Sequence, residues 1–276
     1  MDPDTSTRND LTQRARSIRR RIITLTGTKG VGHTGGSLSL VEILTTLYFK
    51  VMKLDPGNPS WPDRDRFILS KGHATPGYYC TLAERGYFPE QQLLHEYDEI
   101  DSHFQGHPDM TKTPGVDMST GSLGQGLSIG IGMALGLLRK GSEARVFILM
   151  GDGEMQEGQV WEALMYAGLR RVKHLIAIVD NNRLQLTAPT PSILDLNPIG
   201  EKVSAFGWNV LTCDGHDLDA LVKNLDEARL RSSEGPVFLV ANTVKGKGVS
   251  FAENKVEWHS KAPSKDEMDK ALKELE

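Results

Sequence analysis

The sequence predicts an α/β fold, a doubly wound and mostly parallel sheet with helices on both faces. Three observations predict it. Apolar runs of strand length alternate with helix-period segments along the chain. Two of these runs, 146–150 and 175–179, flank one helical pattern, the order of a single βαβ unit. The runs end in turns rich in Gly, Asp, Asn and His. In an open α/β sheet, side chains in such turns share the edge where ligands bind.

The polar, acidic residues 1–9 read as a frayed tail, and residues 10–276 as one domain. Residues 8–29 have the spacing of an amphipathic helix, with Leu11, Ala15, Ile18, Ile22 and Leu25 on one face. Arg19, Arg20 and Arg21 continue its solvated face. The loop Gly30-Val31-Gly32-His33-Thr34-Gly35-Gly36-Ser37 follows. Ser39 and Glu42 stand at capping-box spacing and predict a helix through Tyr48. Phe67, Ile68 and Leu69 form a short strand leading into Ser70-Lys71-Gly72-His73. Residues 75–105 read as two short helices with loops, followed by Gly106-His107-Pro108-Asp109.

Gly121-Ser122-Leu123-Gly124-Gln125-Gly126 precedes a helix rich in small residues, to about Leu138. Strand 146–150 runs into Gly151-Asp152-Gly153-Glu154, and strand 175–179 into Asp180-Asn181-Asn182-Arg183-Leu184. Residues 207–211 make a further strand. Asp214-Gly215-His216-Asp217 caps the helix that carries Leu218, Leu221, Val222, Leu225 and Ala228, with His216 assisting the cap. Residues 236–241 are the last strand, and Lys245-Gly246-Lys247-Gly248 and Trp258-His259-Ser260-Lys261 lie beyond it. Ser264 and Glu267 form a second capping box, opening a charged final helix.

Composition narrows the function. The chain has 276 residues, enough to bury a full α/β core, and an ordinary apolar fraction of 38%. A net charge of −4 gives no reason to expect nucleic acid or an anionic membrane as partner. No apolar stretch approaches the ~20 residues of a membrane span. Cys80 and Cys213 are far apart and form no CxxC, which fits a reducing cytoplasm better than a disulfide or zinc scaffold.

The turns carry the chemistry. An Asp carboxylate at Asp152, an amide oxygen at Asn182 and a nearby backbone carbonyl are hard donors. They suit Mg²⁺, or Ca²⁺, shared with a diphosphate. His33, His73, His107 and His259 all sit in glycine-containing or polar loops that can share the same sheet edge. Together they suit a site that handles protons and hydroxyls near neutral pH. No pair shows a zinc spacing such as HExxH. His95, His103 and His174 lack such a context and read as structural. The glycines at 27–32 follow a helix and not a strand, which excludes a dinucleotide loop.

Taken in order, these segments resemble transketolase. Gly32-His33, the run from Asp65 to His73, Gly106-His107-Pro108, the run from Thr120 to Gly126, Gly151-Asp152-Gly153-Glu154 and Trp258-His259 match its motifs across about residues 10–262. Gly-Asp-Gly followed some thirty residues later by Asn is similar to the thiamine diphosphate signature.

The resemblance implies roles. Asp152, Asn182 and the carbonyl of Leu184 would bind the metal. His73, Gly153 and His259 would contact the diphosphate, with Lys71 and Lys245 further candidates. Gly121, Ser122, Leu123, Gly151, Glu154 and Leu186 would complete the cofactor site. His33, His73, His107 and His259 would hydrogen-bond the hydroxyls of a ketose. Glu157 and Glu162 would lie at a subunit interface.

The chain stops after the diphosphate-binding domain. That predicts the N-terminal subunit of a two-chain transketolase, completed by a C-terminal subunit with pyrimidine and C-terminal domains, as a heterotetramer. It would move a two-carbon ketol unit between sugar phosphates. Alternatives are another thiamine diphosphate enzyme, such as 1-deoxyxylulose-5-phosphate synthase or a 2-oxoacid dehydrogenase, or a non-catalytic regulatory partner. Four histidines argue against the dehydrogenases, which handle a carboxylate and not a polyhydroxy chain.

Overall fold

The computed structural model describes residues 3–276, and of residues 3–5 the backbone alone. In chain order the elements are α1 (Pro3–Lys29), α2 (Thr34–Leu38), α3 (Val41–Thr46), β1 (Arg66–Leu69), α4 (Thr75–Arg85), α5 (Glu90–Glu96) and α6 (Gln125–Arg139). Then follow β2 (Val146–Gly151), α7 (Gly158–Leu169), β3 (Leu175–Asn181), α8 (Thr190–Leu194), α9 (Ile199–Ala205), β4 (Asn209–Asp214), α10 (Leu218–Arg231), β5 (Val237–Asn242) and α11 (Lys265–Glu274).

The five strands make one sheet in the order β1-β2-β3-β5-β4, and every neighbouring pair is parallel. This is the expected α/β class. Residues of β2 and β3 are buried throughout, as strands covered on both faces must be. Alternate side chains supply two cores. Phe67, Leu69, Phe147, Leu149, Ile176, Ile178, Val237 and Leu239 pack toward α1, α3, α4 and α10. Ile68, Val146, Ile148, Met150, Ala177, Val179 and Phe238 pack toward α6, α7 and α9. Because all strands run the same way, their C-terminal ends lie on one edge. That edge receives Ser70, Asp152, Asn182, Thr243 and Gly215 as the next residues of the chain.

Most expected elements form where the pattern put them. The predicted face of α1 is buried, with Ile18, Ile22 and Leu25 at 0% exposure. Each such side chain contributes about 1.5–3 kcal/mol relative to an exposed one. Ser264 and Glu267 make the reciprocal bonds of a capping box at α11.

Several expectations are corrected. The first helix begins at Pro3, so residues 3–9 of the expected tail are helical; Met1 and Asp2 lie outside the described residues. Arg19 is no solvated side chain: it is buried and paired with Glu42 at 2.7 Å. Arg21 pairs with Glu84 and Glu90, and Arg20 donates to the carbonyl of Leu272. The capping box of Ser39 and Glu42 does not form, because both side chains have long-range partners. Ser39 donates to Asp180, and Glu42 accepts from Arg19 and His216. The helix there starts at Val41 and ends in a π-helical turn, Leu47–Val51. The strand expected at 207–211 lies two residues later, because Gly207 is left-handed (φ 89°) and the Trp208 ring turns into the core, donating to the Leu164 carbonyl. Asp217 caps α10 through its own side chain, and His216 takes no part in the cap. Helices α8 and α9 come without a sequence signal strong enough to predict them.

Candidate functional site

The edge folds into a cleft of about 430 Å³. Its lining includes His33, Lys71, His73, His107, Gly121, Leu123, Gly151, Asp152, Gly153, Glu154, Asn182, Leu184, Leu186, Lys245 and His259. Of the residues singled out in the sequence for this site, only Ser122 stays off the lining, as an exposed residue beside Gly121. Gly36, Gln156 and Gln185 also line the cleft and were not anticipated. A wider depression of about 960 Å³, between the end of α1 and residues 94–103, is open, charged and carries none of these motifs.

Each side chain arrives from a different element. His33 precedes α2 in a non-helical conformation and makes no capping bond, so its ring is free for the cleft. His73 lies in a 3₁₀ turn, Gly72–Ala74, between β1 and α4, and His259 ends another, Val256–His259. Asp152 follows β2 and Asn182 follows β3. Gly121 is required by close approach: a Cβ there would stand 2.9 Å from Cδ2 of His107.

Two buried carboxylates tie these loops together. Glu154 accepts from the Ser70 hydroxyl at 2.5 Å and the Gly124 amide at 2.9 Å through one oxygen, and from the Gly151 amide at 3.0 Å through the other. It thus joins the ends of β1 and β2 to the 121–126 loop. Its oxygens are spent on protein donors, so it organises the cleft wall in addition to lining it. Asp180 is fully buried and accepts from the Lys71 ammonium, from the Ser39 and Thr243 hydroxyls and from the Asn182 amide at 3.2 Å. Burial alone would raise the Asp180 carboxyl, but Lys71 and the hydroxyl bonds bring it below its ordinary value. Sequence reading missed Asp180. Its signal was an acid closing an apolar run, where only a paired charge can be buried.

The histidines cluster. The ring centroids of His33, His73 and His259 lie 5.0 to 5.5 Å apart. Burial, reinforced by His107 and Lys245, lowers the pKa of His33. Burial and Lys71 hold His73 well below its ordinary value. Burial and Lys245 push His259 down to about 3. All three imidazoles are therefore neutral at pH 7 and act as hydrogen-bonding groups. The Lys245 ammonium donates to Nδ1 of His259 at 2.9 Å, which assigns the ring proton to Nε2. Lys245 itself is lowered to about 8 by burial and by Lys71, with Asp152 and Asp180 opposing.

The three expected metal donors form a set of oxygens that fits a hard cation. Asp152 is buried, and burial raises its carboxyl above its ordinary value although Thr190 and Gly153 donate to it. A buried carboxylate so perturbed gains from a nearby cation. Asn182 turns its amide nitrogen to Asp180, so its oxygen remains the acceptor. The Leu184 carbonyl already accepts from a cation, the Lys245 ammonium at 2.7 Å. One carboxylate and two amide-type oxygens match Mg²⁺ or Ca²⁺ better than zinc. Among the described residues no group of three His, Cys, Asp or Glu side chains is placed to hold a metal.

Comparison with known proteins agrees with this geometry. Residues 12–275 match the family described as transketolase, thiamine diphosphate binding domain. The chain is 45% identical over 267 residues to the 6-deoxy-6-sulfo-D-fructose transketolase subunit SqwG of Clostridium sp. (strain MSTE9), covering 97% of this chain and 96% of the relative. It is 44% identical to an apulose-4-phosphate transketolase subunit from Actinobacillus succinogenes, over 100% of this chain and 99% of that one. Human transketolase is 36% identical over 99% of this chain, which spans 43% of the human protein. Among solved structures, transketolase from Pichia stipitis superposes with a TM-score of 0.90 at 26% identity, covering 96% of this chain and 40% of that one. Transketolase from Campylobacter jejuni gives 0.88 at 28% identity, over 96% of this chain and 43% of that one. The chain belongs to the transketolase family, as the counterpart of its N-terminal, thiamine diphosphate-binding part.

Proposed function

We propose that this chain is the N-terminal subunit of a two-chain transketolase, which binds thiamine diphosphate with Mg²⁺ and transfers a two-carbon ketol unit between sugar phosphates. The observation that carries the reading is the meeting of the Asp152, Asn182 and Leu184 oxygens with four histidine loops in one cleft. The extent of the match to relatives named as transketolase subunits supports a separate C-terminal partner. A heterotetramer in the cytoplasm is the assembly and place we assign to it.

Asp152, the Asn182 amide oxygen and the Leu184 carbonyl hold the metal. The Gly153 amide, His73, His259 and Lys245 hold the diphosphate. Leu123 and Leu186, 36% and 58% exposed, offer apolar surface at the cleft rim for the heterocycle. Bound there, thiamine diphosphate would supply the carbanion-stabilising chemistry that ketol transfer needs. The protein supplies placement: His33 and His107 bond the sugar hydroxyls and position the substrate for bond cleavage. Because burial lowers the pKa of His33 and His73, these imidazoles can accept and return a proton without becoming fixed as cations. The partner subunit completes the other half of the cofactor site.

Calorimetric titration with thiamine diphosphate and MgCl₂ tests the reading. The wild-type chain binds only when Mg²⁺ is present, and Asp152→Ala abolishes this Mg²⁺-dependent binding. Ketol transfer is negligible for the chain alone and appears on mixing with the C-terminal partner. Binding that ignores Mg²⁺, or full transfer without a partner, refutes it.

A further inference from the structure

Away from the cleft, three charged or titratable side chains from separate elements meet behind the loop that carries Lys245. Arg19 of α1 donates to both oxygens of Glu42, at 2.7 and 2.9 Å. Glu42 of α3 also contacts Nδ1 of His216 at 2.9 Å. His216, from the turn after β4, accepts the backbone N–H of Val244 through Nε2 at 2.8 Å. An Nε2 that accepts an N–H carries no proton, so Nδ1 bears it and donates to Glu42. Burial would raise the Glu42 carboxyl, but Arg19 and the His216 bond bring it below its ordinary value, which keeps it an acceptor.

The bond lands one residue before Lys245. On the other side of that residue, the Gly246 amide donates to the Gly35 carbonyl at 3.0 Å. Two residues further, Gly248 is left-handed (φ 88°), and a Cβ there would meet Cδ of Arg19 at 2.6 Å. Arg19 thus supports the loop by packing as well as through Glu42. None of the three side chains lines the cleft, and none belongs to a cap or to the main cores. A buried ion pair joined to a histidine is costly to assemble unless its geometry is put to use.

We propose that Arg19, Glu42 and His216 form a positioning relay that fixes the backbone at Val244 and so aims Lys245 into the cleft. His216 is the link that sets the register of the loop; Glu42 fixes its tautomer and Arg19 fixes Glu42. The consequence for ligand affinity rests on the function proposed above. The positioning itself does not.

Hydrogen–deuterium exchange on the full, ligand-free chain separates the two. In His216→Gln the amide oxygen can take the place of Nε2 as acceptor for Val244. His216→Asn places its amide near Nδ1 and keeps only the contact with Glu42. Exchange across residues 243–249 should rise about tenfold in His216→Asn, equivalent to a lost hydrogen bond of about 1.4 kcal/mol, and stay within about threefold of wild type in His216→Gln. Glu42→Gln should raise it by an intermediate factor. Strands β2 and β3 are the internal reference. Equal exchange in the Gln and Asn variants, or a matching rise in β2 and β3, overturns the relay. As a second readout, calorimetry with thiamine diphosphate and Mg²⁺ should show weaker binding in His216→Asn and near wild-type binding in His216→Gln. If the wild-type chain binds no thiamine diphosphate, the proposed function fails while the exchange result still decides the relay.

Discussion

Replacing Asp180 by Asn is nearly isosteric and removes one charge from beneath the cleft. Four donors converge on this carboxylate, and Lys71, 2% exposed, has its ammonium there and at the Gly36 carbonyl. An asparagine offers one acceptor oxygen and turns an NH₂ group into the other donors. The Lys71 charge is then left buried and unpaired. Breaking one side of such a pair costs about 3–5 kcal/mol, a large share of the ~5–15 kcal/mol that holds a typical domain. At about 2–4 °C per kcal/mol for a chain of this size, Tm falls by roughly 6–20 °C. Urea unfolding should show the midpoint moved and the slope unchanged. Lys71→Met should cost a similar amount, and the double variant less than the sum, with a coupling of about 1–3 kcal/mol. A loss below about 1 kcal/mol for Asp180→Asn, or strict additivity, refutes the view that this pair holds the floor of the site.

Two further outcomes are expected. The folded chain keeps His33, His73 and His259 neutral where the unfolded chain protonates them near pH 6.5, so stability is complete above that pH and falls as pH drops toward the folded values, about 3 for His259. Each group adds a slope of up to about 1.4 kcal/mol per pH unit. Urea midpoints measured from pH 7.5 to 4.5 should therefore fall less steeply in a His33→Asn, His73→Asn, His259→Asn triple variant, and parallel curves would contradict the assignment. Ser264→Ala removes half of the capping box at α11; it should cost about 1 kcal/mol, and no change in the unfolding midpoint would show that the cap adds nothing.

Much of this site was legible in the sequence because its signals are local. Asp152 and Asn182 each lie in the turn that closes an apolar run, so strand and turn could be read together. Ser264 and Glu267 are three residues apart and find each other as the pattern says. What stayed hidden depends on distant pairing. Ser39 and Glu42 have the same spacing as that capping box, but Ser39 reaches Asp180, 141 positions away, and Glu42 reaches His216, 174 positions away. Local propensity is a weak force, and a buried charge that needs partners overrides it. The same reason hid Arg19, whose place in an arginine run suggested water, and Thr190, whose bond to Asp152 spans 38 positions. Helices α8 and α9 are short and lie in a Pro-rich stretch, where apolar periodicity has little length in which to appear.

Glu154 and Asp180 concentrate the architecture of the cleft in two side chains. Between them they fasten the ends of β1, β2 and β3 and the loops from residues 39, 124 and 243. The side chains of Ser122, Leu123 and Leu186 bond to neither. Mutational tolerance should therefore divide along this line. A change at the rim alters what the cleft touches while its floor stands, and a change at either hub loosens several strands and loops together.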